Sequence, residues 1–436
     1  MPGTILLISQ AFPPDPIVGA LRAGNVARAF RDAGYTVIVV TAAMEGERPG
    51  LREWEPGITI HAVPIGARYR DRLTRSIRRL QSLVPFRRDT QSRRGSEPSG
   101  GADARPAGGA IRALLLSLVW IPDDELRFVL PAYRAARRLL RKRVDLVYTS
   151  APSHSTNLAG LLLKRLHGVR WCAEFRDPWC YPHAPAVTPL VERVNEYLEQ
   201  RCINAADHLV TVTDQAGDLY RQRLGRSGGK VVVVRNGIPA ILPRTDRRKG
   251  EPFRIVYSGS IYGGRNPQAF LRAAAEVSQE CAASGIPLAI DMFVGNGHPG
   301  GAVPLDAWVA QHGIMPTVRL HDWIPHTELQ QLLRQADLLL LLAQQQPLQV
   351  PNKLYEYLGT GVPILAIADE HGETARMLRQ VEGHYVVAND CVNGIAAALR
   401  EAVRARDLPV SARLKDVPEE WLTERQMRRL VAAVGP

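Results

Sequence analysis

Two stretches in the second half of the 436-residue chain combine residue types that can bind a phosphate group. Residues 258–266 contain three glycines and Arg265; glycine lets a backbone approach a phosphate closely, and arginine donates charge-assisted hydrogen bonds to it. Residues 350–357 contain Lys353, which suits a diphosphate, and Glu356, which can accept two hydrogen bonds from a ribose diol. The structural alternatives are a flexible loop with a solvated arginine and an exposed helical glutamate.

The first half of the chain places ionisable groups directly after two predicted strands. His154 follows one of them and can contact a sugar or a phosphate, or act as an acid/base group. Arg176 and Asp177 follow another, and charged groups at a strand end are costly to bury without a role. The alternatives are that His154 caps a helix and that Arg176 and Asp177 form a structural ion pair.

A loop after the first predicted strand leads to Gly19, which opens a helix. The free N–H groups of a helix at the carboxyl edge of a parallel sheet form an anion site. This loop has no G-x-G-x-x-G motif, so it lacks the dinucleotide-binding fingerprint. This loop is therefore either an anion site or a simple turn.

The elements that must position these residues are short β-branched strands alternating with amphipathic helices, a pattern typical of parallel sheets covered on both faces. The sequence therefore predicts a doubly wound α/β architecture in each half. The predicted strands are 4–9, 35–41, 146–149, 171–175, 208–212, 230–234, 253–257, 288–293, 317–320, 338–342 and 363–367. The predicted helices are 20–33, 155–167, 214–224, 267–283, 327–335 and 352–358, with a helix-like stretch at 133–143.

The alternation stops and restarts, which predicts the domain organisation. An N-terminal domain spans 1–238, a polar hinge 239–252, and a C-terminal domain 253–415. A final amphipathic helix within 416–436 is predicted to pack back on the first domain. Residues 87–109 are rich in glycine and arginine and poor in apolar residues, so we predict a disordered or mobile basic loop there.

The net charge of +12 is local. Residues 66–143 contain nineteen Arg or Lys against seven Asp or Glu, so the rest of the chain is electroneutral. One hypothesis is a solvated loop and helix; the other is a surface that docks anionic lipid headgroups or a phosphorylated acceptor. No aromatic stacking platform accompanies the charge, so no nucleic-acid partner is expected.

Composition disfavours membrane spanning and secretion. No run reaches the ~18 apolar residues of a spanning helix, and residues 1–10 lack the pattern of a secretion signal. The five cysteines form no Cys-x-x-Cys pair, which favours scattered thiols in a reducing compartment over a disulfide framework or a zinc ribbon. We expect a cytoplasmic protein, either free or peripheral on the inner face of the membrane.

Taken together, these stretches resemble family 4 glycosyltransferases of the GT-B fold, and in particular the bacterial branch that builds surface polysaccharides and related glycoconjugates. The resemblance covers most of the chain except about 68–119 and is most specific at 173–179 and 350–366. It implies two doubly wound domains facing a cleft, with 1–238 as the acceptor-side domain and 253–415 as the nucleotide-sugar-binding domain. It also implies transfer of a sugar with retention of configuration, from a UDP- or GDP-linked donor to a glycan, a lipid-linked acceptor or a small natural product. No metal and no other cofactor are implied.

The resemblance also assigns roles to individual residues. Glu356 would bind the donor ribose, and Arg265 and Lys353 would hold the diphosphate together with backbone N–H groups. The donor-binding set is Gly19, Ser260, Arg265, Asn352, Lys353, Leu354 and Glu356. The catalytic set is His154, near the reacting carbon, and Asp177; the acceptor-side set is Arg22 and Arg176. No Asp-x-Asp pair is placed to bind a metal, so cations would stabilise the leaving group.

Two positions depart from the family pattern. Leu348 stands eight positions before Glu356, where many members carry a second glutamate, so contacts to the donor sugar have to come from elsewhere, for example from the glutamines at 344–346. Ser260 follows Gly259, where the family often has arginine. Two other functions therefore remain open: a nucleotide-sugar epimerase of the same fold, and a catalytically inactive binding subunit.

Overall fold

The fold is described for most of the chain outside the basic segment. The computed structural model describes residues 3–15, 17–44, 46–66, 121–151, 153–180, 189–242, 251–261, 264–295, 305–311, 313–314, 317–408 and 414–436. The predicted loop at 87–109, most of 66–143 and most of the predicted hinge at 239–252 lie outside these residues.

The first half of the chain forms an eight-stranded sheet with the order β3-β4-β2-β1-β5-β6-β7-β8. All pairs with a defined register are parallel except β3 with β4. The strands are β1 (Thr4–Ser9), β2 (Thr36–Ala42), β3 (Gly50–Glu55), β4 (Ile58–Val63), β5 (Val144–Ser150), β6 (Trp171–Phe175), β7 (His208–Thr211) and β8 (Val231–Val233).

The second half forms a six-stranded parallel sheet with the order β11-β10-β9-β12-β13-β14. Its strands are β9 (Phe253–Ser258), β10 (Leu288–Phe293), β11 (Val318–His321), β12 (Leu338–Ala343), β13 (Ile364–Ala368) and β14 (Tyr385–Val387). Every residue of β12 is buried, as expected for a central strand covered on both faces.

Helices connect the strands in both halves. They are α1 (Val18–Asp32), α2 (Leu126–Leu139), α3 (Ser155–His167), α4 (Pro189–Ala205), α5 (Asp214–Leu224), α6 (Gln268–Ala283), α7 (Leu305–Gln311), α8 (His326–Gln335), α9 (Asn352–Leu358), α10 (Glu373–Leu378), α11 (Val392–Arg404) and α12 (Thr423–Val434). Among the helices of these described ranges, none is long and apolar enough to cross a membrane.

Each sheet reverses its strand order once, between β1 and β5 in the first and between β9 and β12 in the second. In open α/β sheets, ligands bind outside the carboxyl ends of the strands at such a reversal. The predicted fold class, two doubly wound parallel sheets, is confirmed. The strands β3, β4 and β14 and the helices α4, α7, α10 and α11 were not among the predicted elements.

The described chain divides into two compact units. The first contains Met1–Val210, Arg223–Val232 and Val434–Pro436; the second contains Thr211–Gln222 and Val233–Ala433. In the second unit, the segment before α12 is anchored by a parallel bridge between Ile238 and Leu422. In the first, the Tyr35 hydroxyl donates to the carbonyl oxygen of Pro436 at 3.3 Å. The domain limits given by the sequence remain predictions.

Candidate functional site

The carboxyl edge of the second sheet brings Lys353 onto the turn that follows β9. The Lys353 ammonium donates to the carbonyl oxygen of Ser258 and lies 5.7 Å from the ring centroid of Tyr257. Gly259 has a φ of +152°, and a Cβ there would collide with the Lys353 side chain. Because Gly259 has no side chain, it leaves the space that the Lys353 ammonium fills. The turn after β9 and the start of α9 therefore form one site.

The electrostatics of this turn favour an anionic ligand. Burial, the nearby charge of Arg265 and, in the opposite direction, Glu356 set the pKa of Lys353, which falls to about 8. Arg265 donates to the carbonyl oxygen of Ser260 at 3.4 Å. Two cations are thus fixed beside backbone carbonyls at the strand-order reversal, and their repulsion would be relieved by a bound anion.

The first turn of α9 carries the other predicted donor residues. Asn352 and Lys353 occupy its first two positions, whose N–H groups have no acceptor within the helix. The N–H group of Leu354 instead donates to the carbonyl oxygen of Pro351 at 2.9 Å, and its side chain is buried. Glu356 accepts from Asn352 Nδ2 at 3.2 Å, so its carboxylate is held on the same side of the helix as that amide.

The glutamines that follow β12 are built into the loop. The Gln344 side chain pairs with the backbone of Asn266, accepting at 3.1 Å and donating at 2.6 Å. Gln345 has a φ of +56°, and its side chain packs where a Cβ of Gly264 would lie. The carbonyl oxygen of Leu348 accepts from the Thr213 hydroxyl at 2.8 Å within the second unit. The side-chain amide of Gln344 is therefore already hydrogen-bonded to the loop backbone.

An exposed tryptophan at the same edge is a candidate that the sequence analysis missed. Trp323 follows β11 and is 52% exposed. Gly295, which follows β10 with a φ of +69°, lies so close that any Cβ would collide with the indole. The sequence signal that could have identified Trp323 is a large aromatic side chain directly after a strand that ends at this edge. Its exposed face is suited to stack on a planar ligand group.

The carboxyl edge of the first sheet contains a buried ion pair beside the strand-order reversal. Arg22, on α1, donates through Nε and Nη2 to Glu174 Oε1 at 3.0 and 2.8 Å, and both side chains are almost completely buried. The Ser150 hydroxyl donates to the other carboxylate oxygen at 2.5 Å. Gly19 lies in the first turn of α1 and is buried. The predicted acceptor-side residue Arg22 therefore directs two of its donors to Glu174.

His154 precedes α3 and is held by aromatic rings. Its imidazole stacks on Trp179, with centroids 5.2 Å apart and planes 5° apart, and a second ring, Phe175, lies at 6.4 Å. Burial lowers the pKa of His154, opposed by Asp123, Asp177 and Glu199. The imidazole is therefore neutral near pH 7, and its buried Nδ1 has no hydrogen-bond partner among the described residues.

The helix start beside His154 is capped by a remote residue that no local pattern indicated. Asp123 accepts from the N–H and hydroxyl groups of Ser155, at 3.0 and 2.6 Å. The His154 side chain makes no capping hydrogen bond, so the cap comes from Asp123 rather than from His154 itself. Because the two partners are 32 positions apart, no spacing rule in the sequence links them.

Arg176 differs from Arg22 in having unused donors. Its Nε and Nη1 atoms are buried and have no hydrogen-bond partner within the described ranges. Burial lowers the pKa of its guanidinium, while Glu174 and Asp177 act in the opposite direction. No ion pair joins Arg176 to Asp177 in the part of the chain that the structure describes. A buried guanidinium with idle donors is suited to receive an anionic or hydroxyl-bearing ligand.

The two units thus present different chemistry. The second offers cations, a carboxylate and an exposed indole; the first offers a neutral imidazole and an arginine with free donors. Among the described residues, no three His, Cys, Asp or Glu side chains cluster closely enough to hold a metal ion. The arrangement can bind a nucleoside diphosphate at one edge and a hydroxyl-bearing molecule at the other.

Comparison with known proteins defines the class. The GT-B fold is shared with sucrose-phosphate synthase of Thermosynechococcus elongatus (TM-score 0.62, 12% identity, covering 99% of this chain and 95% of that one). It is also shared with Anabaena HepE, solved with UDP and glucose (0.58, 12%, 99% and 95%). A third example is the lipopolysaccharide outer core galactosyltransferase WaaB (0.57, 12%, 99% and 99%). The fold is that of GT-B glycosyltransferases.

Family models match both halves of the sequence. The model described as "Glycosyl transferase 4-like domain" matches residues 91–237, and the model described as "Glycosyl transferases group 1" matches residues 252–405. The chain therefore belongs to the family 4-like glycosyltransferases, and the resemblance stated from the sequence is confirmed. The narrower assignment to a bacterial branch stays a prediction. A search of curated proteins finds no significant match.

Proposed function

We propose that this glycosyltransferase moves a sugar from a UDP- or GDP-linked donor to an acceptor hydroxyl, with retention of configuration and without a metal ion. The observation that carries the donor assignment is that Lys353, on α9, and Arg265 both donate to carbonyl oxygens of the turn after β9. Glu356 follows Lys353 by one helical turn on α9. The two cations suit the charged phosphates of a nucleoside diphosphate, and the Glu356 carboxylate suits its ribose hydroxyls.

The cations have a catalytic as well as a binding role in this proposal. When the bond between the sugar and the nucleotide breaks, negative charge develops on the departing diphosphate. Lys353 and Arg265 are already fixed by the Ser258 and Ser260 carbonyl oxygens, so little reorganisation is needed to stabilise that charge. Without a metal ion, these side chains supply the positive charge of the site.

Trp323 is proposed to stack on the nucleobase. Neighbouring strands lie ~4.8 Å apart, so the edge from β9 to β11 spans roughly 10 Å, comparable to the reach of a nucleotide from its phosphates to its base. The exposed indole lies at the far end of that span. HepE was solved with UDP, which supports trying a uracil nucleotide first.

The first unit is proposed to hold the acceptor, which is a glycan, a lipid-linked glycan or a small natural product. His154 would contact the donor sugar near the reacting carbon, Asp177 would take part in the proton transfer, and Arg176 would bind the acceptor. Retention of configuration rests on the family resemblance. The free donors of Arg176 support an acceptor with several oxygen atoms. The basic segment 66–143 supports a peripheral location at an anionic membrane face.

A catalytically inactive binding subunit is the second candidate, favoured by Leu348. In many family members a glutamate at this position contacts the donor sugar, and leucine cannot accept a hydrogen bond. An inactive subunit would bind the nucleotide without breaking the bond to the sugar. Turnover of a nucleotide sugar, rather than nucleotide binding, separates the two functions.

The first test is thermal unfolding with UDP, GDP, TDP and ADP in turn. A nucleotide at ~100 times its dissociation constant adds ~2.7 kcal/mol to the free energy of unfolding. We expect a shift with one nucleotide that disappears in Glu356→Gln and persists in the matched control Glu382→Gln, which alters an exposed carboxylate. No shift with any nucleotide would contradict the donor site. Release of free nucleotide and the anomeric configuration of the product, followed by NMR, would then test transfer and retention.

A further inference from the structure

The solvent face of α2 carries a continuous stripe of apolar and then basic side chains. Its exposed residues recur at helical spacing and so lie on one face. The α2 stripe consists of Leu126, Leu130, Arg134, Arg138 and Arg141, the last of these in the short 3-10 turn that continues the helix. Leu126 and Leu130 are 37% and 55% exposed, while the opposite face of α2 is packed in the core.

The positive charge around the α2 stripe has no counter-charge in the described part of the chain. Arg137, Lys142 and Arg143 are exposed beside it. Within the described ranges, none of these cations or of the arginines of the α2 stripe forms an ion pair. Cations in the last turn of a helix interact favourably with its dipole, which is one structural reason for such residues. That effect does not extend as far as Arg134, and it does not account for the exposed leucines.

A neighbouring helix extends the same surface. The Tyr133 ring stacks on His167 with centroids 6.0 Å apart, and its hydroxyl lies 3.1 Å from His167 Nε2, so the end of α3 lies beside α2. That end carries the exposed residues Arg165 and Leu166, the latter 62% exposed. The charged surface is therefore at least two helices wide.

The basic end of this surface is remote from the chemistry of the first unit, whereas its apolar end begins at Leu126, three residues after the Asp123 that caps α3 beside His154. A helix that follows a parallel strand runs back along the sheet, so the end of α3 lies at the amino edge, whereas His154 lies at the carboxyl edge. Arg165 lies eleven positions after His154 along α3, or roughly 16 Å away. A ligand bound at the basic end of this surface therefore leaves His154 free.

We infer that the α2 stripe and the end of α3 form a docking surface for an anionic lipid bilayer. Clustered arginines next to exposed leucines fit an interface in which the cations meet lipid phosphates and the apolar side chains enter the headgroup region. A nucleic acid would use the charge but not the leucines. The inference deepens the proposed peripheral location, and it can fail while the donor site stands.

The test is co-sedimentation of the full chain with vesicles of phosphatidylcholine, with and without phosphatidylglycerol. We expect binding only to the vesicles that contain phosphatidylglycerol, weakening as salt is raised. The triple variant Arg134→Glu, Arg138→Glu and Arg141→Glu should bind on the order of 100-fold more weakly. The matched control Arg272→Glu, Arg319→Glu and Arg429→Glu makes the same change in net charge at exposed arginines of the second unit and should retain most of the binding.

A second variant tests the apolar half of the surface. Leu126→Ser with Leu130→Ser should lose the binding that persists at high salt, because that remainder depends on insertion rather than on charge. Nucleotide-induced stabilisation, measured on every variant, confirms folding and reports on the donor site independently. Equal vesicle binding by the triple variant and its control would overturn the inference. So would tighter binding to a DNA oligonucleotide than to the anionic vesicles.

Discussion

Arg22 and Glu174 form an ion pair that is enclosed by the first unit, with the arginine 3% and the glutamate 0% exposed. Two guanidinium hydrogen bonds and one from Ser150 converge on this single carboxylate. It ties α1 to the ends of β5 and β6, the elements that position the residues around His154. The pair therefore links these elements, and its contribution to the free energy of unfolding can be tested without any substrate.

Replacing Glu174 by glutamine should strongly destabilise the protein. Removing one partner of a buried ion pair leaves the other charge uncompensated, which costs ~3–5 kcal/mol. Denaturant unfolding measures the loss. The double variant Arg22→Met with Glu174→Leu removes both charges and should lose less than Glu174→Gln alone. An equal or larger loss in the double variant would contradict this account.

Replacing Asp123 by alanine should weaken both α3 and the setting of His154. The helix loses its cap, at ~1 kcal/mol of unfolding free energy, and the imidazole loses a nearby negative charge that raises its pKa. We therefore expect a lower unfolding free energy together with a further decrease in the pKa of His154, followed by NMR titration. Asp124→Ala is the control, because the Asp124 side chain forms no hydrogen bond with any described residue.

Lys353 should make stability depend on alkaline pH. Its pKa is about 8 in the folded chain against 10.5 ordinarily, so between these values the unfolded chain binds the proton that the folded chain has lost. The unfolding free energy of the wild type should therefore rise with pH across this window, by an amount on the order of 3 kcal/mol, relative to Lys353→Met. Nucleotide affinity should fall across the same window, because the neutral amine no longer attracts phosphate. A flat difference between the two proteins would contradict the burial of this ammonium.

Replacing Gly259 by alanine should displace the Lys353 side chain. The added Cβ would occupy the position of the ammonium, and loss of one charge-assisted hydrogen bond to phosphate costs ~1.5–3 kcal/mol, or roughly 10- to 100-fold in nucleotide affinity. Calorimetric titration measures this change. Gly285→Ala is the matched control, since Gly285 also has a positive φ, of +72°, but nothing lies within 4 Å of the added carbon. Equal effects of the two variants would mean that backbone strain, rather than the collision, is responsible.

Replacing Arg176 by methionine should separate stability from function. The guanidinium has buried donors without partners, so removing it should leave the unfolding free energy unchanged or raise it by ~1–3 kcal/mol. Transfer to the acceptor should fall while nucleotide binding is retained. Arg193→Met, at an exposed position on α4, provides the comparison. A destabilised variant would mean that Arg176 is a structural residue.

Local patterns predicted the elements well and the contacts between them poorly. The strand Thr4–Ser9 and the helices Ser155–His167 and Asn352–Leu358 were predicted with the bounds observed, because their apolar spacing and terminal residues are local signals. The strand Gly50–Glu55 was missed because its side chains are largely polar and exposed at the sheet edge.

The same distinction between local patterns and long-range contacts applies to the residues of the candidate site. Lys353 and Glu356 share one helix turn, so their proximity is visible in the sequence. The partnership of Arg22 with Glu174 joins positions 152 apart, and that of Gln344 with Asn266 joins positions 78 apart. Such pairs arise only when the strand order brings distant ends to one edge, and no single-sequence periodicity reports that order.

The chain's path between its two units limits how the enzyme can be dissected. It passes from one unit to the other after Val210, returns at Arg223, leaves again after Val232, and ends in the first unit from Val434. Two separately expressed fragments cut near residue 238 would each lack a segment that belongs with it. We therefore expect neither fragment to be soluble alone, and co-expression to be needed for complementation.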